Sequence, residues 1–329
     1  KVALCSRNRE ELDRIVEDLE ARGQQALAIE CDVADPDAVE AAAQATIDRF
    51  GRIDTWVNNA GVSIYGKLWE TRLDEKRRLF DVNFWGVVHG CRTASKLLRM
   101  NGGAIINIGS VLSERSIPIQ GIYAASKHAV KAYTDALRME LEAEKLPISV
   151  TLIKPAAIDT PYTEHALNHM EHKPVHTAPV YAPELVANAI LECAVHPKRD
   201  VHVGGAGVIY ALMESFMPRF LDFAMEKTMM ESGQSDKKLD GRIQRPALRR
   251  HPKREGQVRG EYPGHVMESS VLTSASLHPM RALALTVSFG ALIAGVAYAF
   301  RSSKRPNYKT LSGEMKTMKD RVTTHSVSY

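Results

Sequence analysis

One short apolar run restricts the fold more than any other feature: Ala104-Ile105-Ile106-Asn107-Ile108, closed by Gly109. Its length and β-branched content predict a buried strand. Beyond it, Ala129, Val130, Tyr133, Ala136, Leu137 and Leu141 recur at spacings of three and four, which predicts a helix. The same alternation runs along the chain. Strands are expected at Val2–Cys5, Ala26–Cys31, Ile53–Val57 and Ile148–Ile153. Helices are expected from Leu12 to Gly23, from Pro36 to about Phe50, and from about Leu73 to Met100. A further helix is expected from Ala182 to Ala194, then a short strand at Val201–Val203. Strands alternating with helices imply an α/β fold whose parallel sheet is covered on both faces.

The apolar run also places chemistry. Ser110 sits at the carboxyl end of its strand, where open α/β sheets bind ligands. Tyr123 and Lys127 are four apart at the start of the following helix, so their side chains share a face. A phenol with a free pKa of ~10 is a poor acid or base at neutral pH. An ammonium ~5 Å away favours the phenolate by ~3 kcal/mol at an effective dielectric of ~20, or ~2 pKa units. Ser110 is then placed to hydrogen-bond an oxygen that gains or loses charge. The Tyr-x-x-x-Lys pair alone reads equally as an ordinary helix face. Asn58-Asn59-Ala60-Gly61 after another strand, and Asn83 within Asp81-Val82-Asn83, change the balance.

Taken together and in order, these motifs make the chain resemble the short-chain dehydrogenase/reductase family over roughly Lys1 to Gly204. The resemblance implies a Rossmann-type doubly wound parallel sheet and a catalytic tetrad of Asn83, Ser110, Tyr123 and Lys127. It implies that Asp32 and Val33 edge the adenine, and that Asn59, Ala60 and Gly61 lie beside the adenosine. Lys127 would also hold the nicotinamide ribose, and Asn83 would anchor a water in a proton relay. Pro155 and Thr160 match a Pro-Gly-x-x-x-Thr segment whose Thr contacts the carboxamide, with Ala156 in place of the Gly. A homodimer or homotetramer through the long helices is implied as well.

A dinucleotide fold begins with a strand, a glycine-rich turn and a helix, about 30 residues in all. Lys1 opens directly onto a strand, so these parts are expected to precede the chain. After that opening strand stand Ser6 and Arg7 rather than an acidic residue. A guanidinium there suits a 2′-phosphate, which favours NADP(H) over NAD(H). The plainer reading of Arg7 is a solvated surface charge.

Composition adds limits. The 329 residues carry 25% charged and 44% hydrophobic residues and a net charge of +4, which is no argument for nucleic acid. Four scattered cysteines lack metal spacing and read as reduced thiols of a cytoplasmic catalytic domain. Pro161–Pro183 is expected as a substrate loop and lid. Its His165, His169, His172 and His176 are spaced four, three and four apart, but no His-Glu-x-x-His is present and no metal is assigned. The Met- and aromatic-rich stretch Val208–Met230 is expected as a packing helix or an apolar wall for a greasy substrate.

The expected domains are residues 1–230, an oxidoreductase, and 231–280, a polar flexible linker. Residues 281–301 follow as a hydrophobic membrane helix, then 302–329 as a basic tail. Ala282–Phe300 is nineteen residues without a charge, ~28 Å as a helix against the ~30 Å hydrocarbon core. Six Lys or Arg residues in 301–320 favour a cytosolic tail, whereas NADP(H) chemistry wants the catalytic domain on that side; one span does not satisfy both. The functional expectation is hydride transfer between NADP(H) and a carbonyl or secondary alcohol, on a lipophilic small molecule, at a membrane. A non-catalytic NADP(H)-binding sensor or scaffold is the competing class.

Overall fold

The computed structural model describes residues 1–205, 213–214, 216–232, 234–238, 248–249 and 257–279. One compact unit spans Lys1–Leu277. It opens with β1 (Val2–Ser6), α1 (Arg9–Ala21), β2 (Ala26–Glu30) and α2 (Pro36–Phe50). Local signals set these boundaries. The Asn8 side chain caps α1 by accepting the Glu11 N–H. Asp35 caps α2, Pro36 starts it, and Gly51 ends it in the left-handed conformation at φ 84°.

The middle of the unit runs through β3 (Thr55–Asn58), β4 (Ile64–Tyr65), α3 (Leu73–Phe80), α4 (Gly86–Leu98) and β5 (Gly103–Ile108). The expected helix from Leu73 to Met100 is interrupted by a π turn, Asp81–Trp85, and stops at Leu98. Next come α5 (Gly121–Ala143), β6 (Ile148–Pro155), β7 (Ala157–Ile158), α6 (Tyr162–His165), β8 (Leu167–Asn168), β9 (His172–Pro174), β10 (Val180–Tyr181), α7 (Pro183–Val195) and β11 (Asp200–Val203).

The central sheet is parallel, in the order β11-β6-β5-β3. β5 lies inside it, with every residue from Ala104 to Ile108 buried, as a strand covered on both faces must be. The main core joins Ile105, Val150 and Leu152 to Val87, Ala94 and Leu98 of α4 and to Val130 and Leu141 of α5. Beneath it, Asn107 is buried by being satisfied: its Oδ1 accepts from Asn58 Nδ2 at 2.8 Å, and its Nδ2 donates to Thr134 Oγ1 at 2.9 Å.

The parallel strands of the described residues fall in more than one sheet. β1 pairs in parallel with β2 alone, and among the described residues no strand bridges β1 to β3. Val2 to Cys5 and Thr55 to Asn58 line the same cavity, so the two sheets open onto one gap.

The carboxyl-terminal part is more ordered than its composition suggests. The helix Pro218–Ser232 buries Leu221 and Met225, while Phe220 and Phe223, and Phe216 just before it, are exposed. Val208 and Tyr210 lie outside the described residues. The linker assigned to 231–280 carries a strand at Gln234–Lys238 paired with β9, a strand at Val266–Met267 paired with β10, and a helix at Val271–Leu277. Leu277 joins the core beside Val201 and Val203, and Thr273 Oγ1 accepts the Gly204 N–H at 2.9 Å. Strand pairing and buried contacts thus hold a segment whose polar composition suggested none. Ala282–Phe300 belongs to a second unit, His278–Tyr329, and lies outside the described residues. Among the described residues no helix is long and apolar enough to cross a membrane.

Candidate active site

The site forms where β5 ends and α5 begins. Ser110 follows β5 in an extended conformation and starts a single 3-10 turn, Val111–Ser113. Its Oγ accepts the Leu112 N–H at 3.1 Å, and Ser113 Oγ accepts the Ser110 N–H at 3.2 Å. These two bonds fix the hydroxyl oxygen and leave its proton to donate elsewhere. The loop then turns through Ile119 at φ 58°, a strained conformation for a β-branched residue. Its carbonyl is held by the Gly66 N–H at 2.9 Å, and α5 starts immediately after.

Tyr123 and Lys127 lie one turn apart on α5, as their spacing predicts. Lys127 is 4% exposed, donates to the Ile108 carbonyl at 2.7 Å, and lies 5.7 Å from the centroid of the Tyr123 ring. The Tyr123 hydroxyl is hydrogen-bonded to Ser110 and to Tyr162, the first residue of α6. Tyr123 and Tyr162 meet edge to face with ring centroids 5.6 Å apart.

The electrostatics differ from the sequence expectation. Lys127 was expected to bring the phenol towards neutral pH. Burial instead raises the Tyr123 phenol above its ordinary value, with the bonds from Tyr162 and Ser110 acting in the opposite sense. The same loss of water pushes Lys127 down to about 8. Loss of water favours the neutral form of each group.

Asn83, in the π turn, is fully buried and structurally engaged. Its Oδ1 accepts the Val62 N–H at 2.8 Å, and its Nδ2 donates to the Val62 carbonyl at 2.9 Å and to Ser126 Oγ at 3.1 Å. It thereby moors the loop carrying Asn59, Ala60 and Gly61 to α5. π turns of this kind occur often at functional sites.

A cavity of about 1360 Å³ is lined by Asn59, Ala60, Gly61, Ser110, Tyr123, Lys127, Pro155 and Thr160, together with Val33. Ser6, Arg7 and Asp32 do not line it. Ser6 Oγ accepts the Asn8 N–H, Asp32 pairs with Arg78, and Arg7 Nη1 donates to the Leu248 carbonyl at 3.3 Å. Arg78 Nε converges on that same carbonyl at 3.1 Å. The lid histidines are dispersed rather than clustered: His169 pairs with Glu75 at 2.8 Å, His172 lies in β9, and His176 stacks on Tyr162. His165 sits at the end of α6 with its Nε2 buried, and no metal-holding group occurs among the described residues.

Sequence reasoning missed Tyr162, which meets Tyr123, and Gln120 and Ser63, which hydrogen-bond Tyr162. Tyr162 follows Thr160-Pro161 directly, and an aromatic at that rim was the available signal.

A family model described as short chain dehydrogenase matches residues 1–171. The chain is 42% identical over 240 residues to the uncharacterized oxidoreductase YxnA of Bacillus subtilis, covering 72% of this chain and 67% of that one. It is 32% identical over 212 residues to dehydrogenase/reductase SDR family member 7B of Bos taurus, covering 61% of this chain and 65% of that one. Among solved structures, an alcohol dehydrogenase from Thermococcus sibiricus complexed with 5-hydroxy-NADP superposes with a TM-score of 0.53 at 23% identity, over 61% of this chain and 84% of that one. A short-chain dehydrogenase from Streptomyces avermitilis does so with a TM-score of 0.54 at 23% identity, over 70% of this chain and 88% of that one. The two structures share its fold. This chain belongs to the short-chain dehydrogenase/reductase family of NAD(P)-dependent oxidoreductases.

Proposed function

We propose that the protein interconverts a carbonyl and an alcohol with NADP(H), Tyr123 acting as general acid and base. The observation that carries this reading is the Tyr123 hydroxyl bound to Ser110, with the Lys127 ammonium beside its ring, all facing one cavity. The donor set fits the nicotinamide-ribose end of the cofactor. Lys127 uses one N–H on the Ile108 carbonyl and has further donors for ribose hydroxyls. Asn59, Ala60 and Gly61 offer a small-residue wall, and Thr160 stands on the rim. The bound cofactor supplies hydride chemistry. Ser110 orients the substrate oxygen, and Tyr123 gives that oxygen its proton in reduction or removes it in oxidation. Asn83 supports the arrangement by holding the 59–61 loop.

Preference for NADP(H) is supported by Arg7 and Arg78, whose guanidiniums meet at one carbonyl oxygen beside the end of β1, an arrangement suited to a phosphate oxygen. The Thermococcus sibiricus structure carries an NADP analogue, which agrees. A lipophilic substrate is supported by Val111, Leu112, Ile117, Ile119 and Val175 around the cavity. Exposed Trp85 and Met139, near α4 and on α5, suit association of like subunits through those helices into a homodimer or homotetramer. Attachment to a membrane through Ala282–Phe300 belongs to the same reading and rests on sequence.

NADPH oxidation by the full-length protein with a panel of aliphatic, aromatic and polycyclic aldehydes and ketones tests the assignment. Turnover with at least one class, abolished by Tyr123→Phe, is expected. Cofactor binding without turnover across the whole panel would favour a sensor instead.

A further inference from the structure

The hydroxyl of Tyr123 has a second neighbour that the tetrad does not include. Tyr162 begins α6, in the segment read from sequence as substrate lid, and its ring is fixed on two sides. Tyr123 meets it at 5.6 Å with an interplanar angle of 66°, and His176 stacks on it at 6.1 Å and 20°. Its hydroxyl is fixed as well. Gln120 Nε2 donates to the Tyr162 oxygen at 3.3 Å and reaches Ser63 Oγ at 3.3 Å. Ser63 also hydrogen-bonds the Tyr162 hydroxyl.

These bonds set the direction of the remaining one. An amide N–H can only donate, so Ser63 Oγ and the Tyr162 oxygen both accept from Gln120; with the Ser63 proton turned to the Tyr162 oxygen, the Tyr162 proton is left for Tyr123. A donor whose oxygen already accepts is polarised and donates more strongly. The order of acidity agrees: burial raises Tyr162 well above the ordinary phenol value, and Tyr162 is the member of the pair that keeps its proton. On the other side, Ser110 Oγ accepts the Leu112 N–H, so its proton also faces Tyr123. The oxygen of Tyr123 therefore sits between two donors.

We infer that Tyr162 is a positioning residue: its hydroxyl, oriented by Gln120, donates to the Tyr123 oxygen and stabilises it whenever the Tyr123 proton is on the substrate. The inference rests on the general acid/base role proposed for Tyr123. No net chemistry is added. In reduction the Tyr123 O–H bond breaks as the substrate O–H forms, and the Tyr162 bond shortens onto the resulting phenolate without transferring its own proton.

The test is Tyr162→Phe, which keeps the ring contacts with Tyr123 and His176 and deletes only the hydroxyl. Two readouts are taken on the full-length protein. The first is kcat and KM against pH for oxidation of the alcohol formed from the best carbonyl of the panel. We expect kcat to fall about ten- to hundredfold with KM nearly unchanged, as for loss of a hydrogen bond to a charged oxygen. The rising limb should move alkaline by about one unit. Gln120→Met, which leaves Tyr162 but removes its orienting amide, should move the limb in the same sense by less.

The second readout needs no turnover: the phenolate absorbance attributable to Tyr123, from the difference between the parent and Tyr123→Phe, should titrate at higher pH in the Tyr162→Phe background. An unmoved titration overturns the inference even where kcat falls, since a packing role would lower kcat alone. Absence of turnover in the parent, with the titration shifted as expected, would instead reject the enzyme reading and leave the hydrogen bond standing. Should Tyr162→Phe fail to fold, the Gln120→Met titration decides: a shift upholds the inference and none rejects it.

Discussion

Asn83 grips Val62 by both backbone groups, its side-chain oxygen taking the Val62 N–H at 2.8 Å while its amide nitrogen donates to the Val62 carbonyl at 2.9 Å. Both partners are buried, so truncation strands them without water. Asn83→Ala should destabilise the fold by about 2–4 kcal/mol, from two orphaned backbone groups and the lost bond to Ser126. Denaturant midpoints check this. A fall in activity without a fall in stability would instead assign Asn83 a purely catalytic role.

Tyr123→Phe removes the proton donor and little volume. A drop in kcat of about 10²–10⁴ is expected, with NADPH affinity within a few-fold of the parent. Because the phenol lies above its ordinary value, it is protonated at neutral pH. Carbonyl reduction by the parent should therefore hold its rate into the alkaline range, while alcohol oxidation climbs with pH. Rate profiles in both directions measure this.

Lys127 imposes a pH dependence on stability in the cofactor-free protein. Its folded value of about 8 lies below the ordinary ~10.5, so between the two the unfolded chain holds more protons. Stability should rise with pH across that window, by on the order of 3 kcal/mol in total. Above ~10 the raised phenol of Tyr123 opposes the trend, because the unfolded chain then releases its proton first. Lys127→Met should abolish the rise between about pH 8 and pH 10. Midpoints that fall with pH through that window would contradict the assignment.

Gly90 on α4 faces β3 with no room for a methyl group: a Cβ there would lie 2.0 Å from Asn58 Oδ1 and 2.7 Å from Trp56 Nε1. Asn58 is also bonded to Asn107, so it has nowhere to retreat. Gly90→Ala should cost about 1–3 kcal/mol despite its better helix propensity, and thermal unfolding would show it.

Arg7→Glu should invert cofactor choice. A carboxylate repels a 2′-phosphate and accepts from a 2′-hydroxyl, so the NADPH-to-NADH ratio of kcat/KM should fall at least about tenfold. Equal losses with both cofactors would remove Arg7 from the binding site.

Much of this was legible in the chain because local patterns carry it. The β-branched run at 104–108 became β5, Asp35-Pro36 and Gly51 bounded α2 as their chemistry dictates, and the Tyr-x-x-x-Lys spacing placed both groups on one helix face. Three things were not legible, each for a physical reason. Tyr162 reaches Tyr123 through the packing of a segment thirty-nine residues away, which no periodicity encodes. The acidity of Tyr123 depends on how much water the fold removes, and a helix-face distance is silent on that. The segment ending in Val271–Leu277 is polar in composition yet is held by scattered ties, among them Leu277 in the core, Thr273 on Gly204 and the Val266–Met267 pairing with β10, which form no periodic pattern.

The carboxyl-terminal clasp bears on where the molecule tolerates a cut. Leu277 packs beside Val201 and Val203, and Thr273 Oγ1 satisfies the Gly204 N–H. Proteolytic removal of Val271–Leu277 would uncover that apolar seat and strip the amide of its acceptor, so a chain shortened before Val271 should aggregate more readily than the parent.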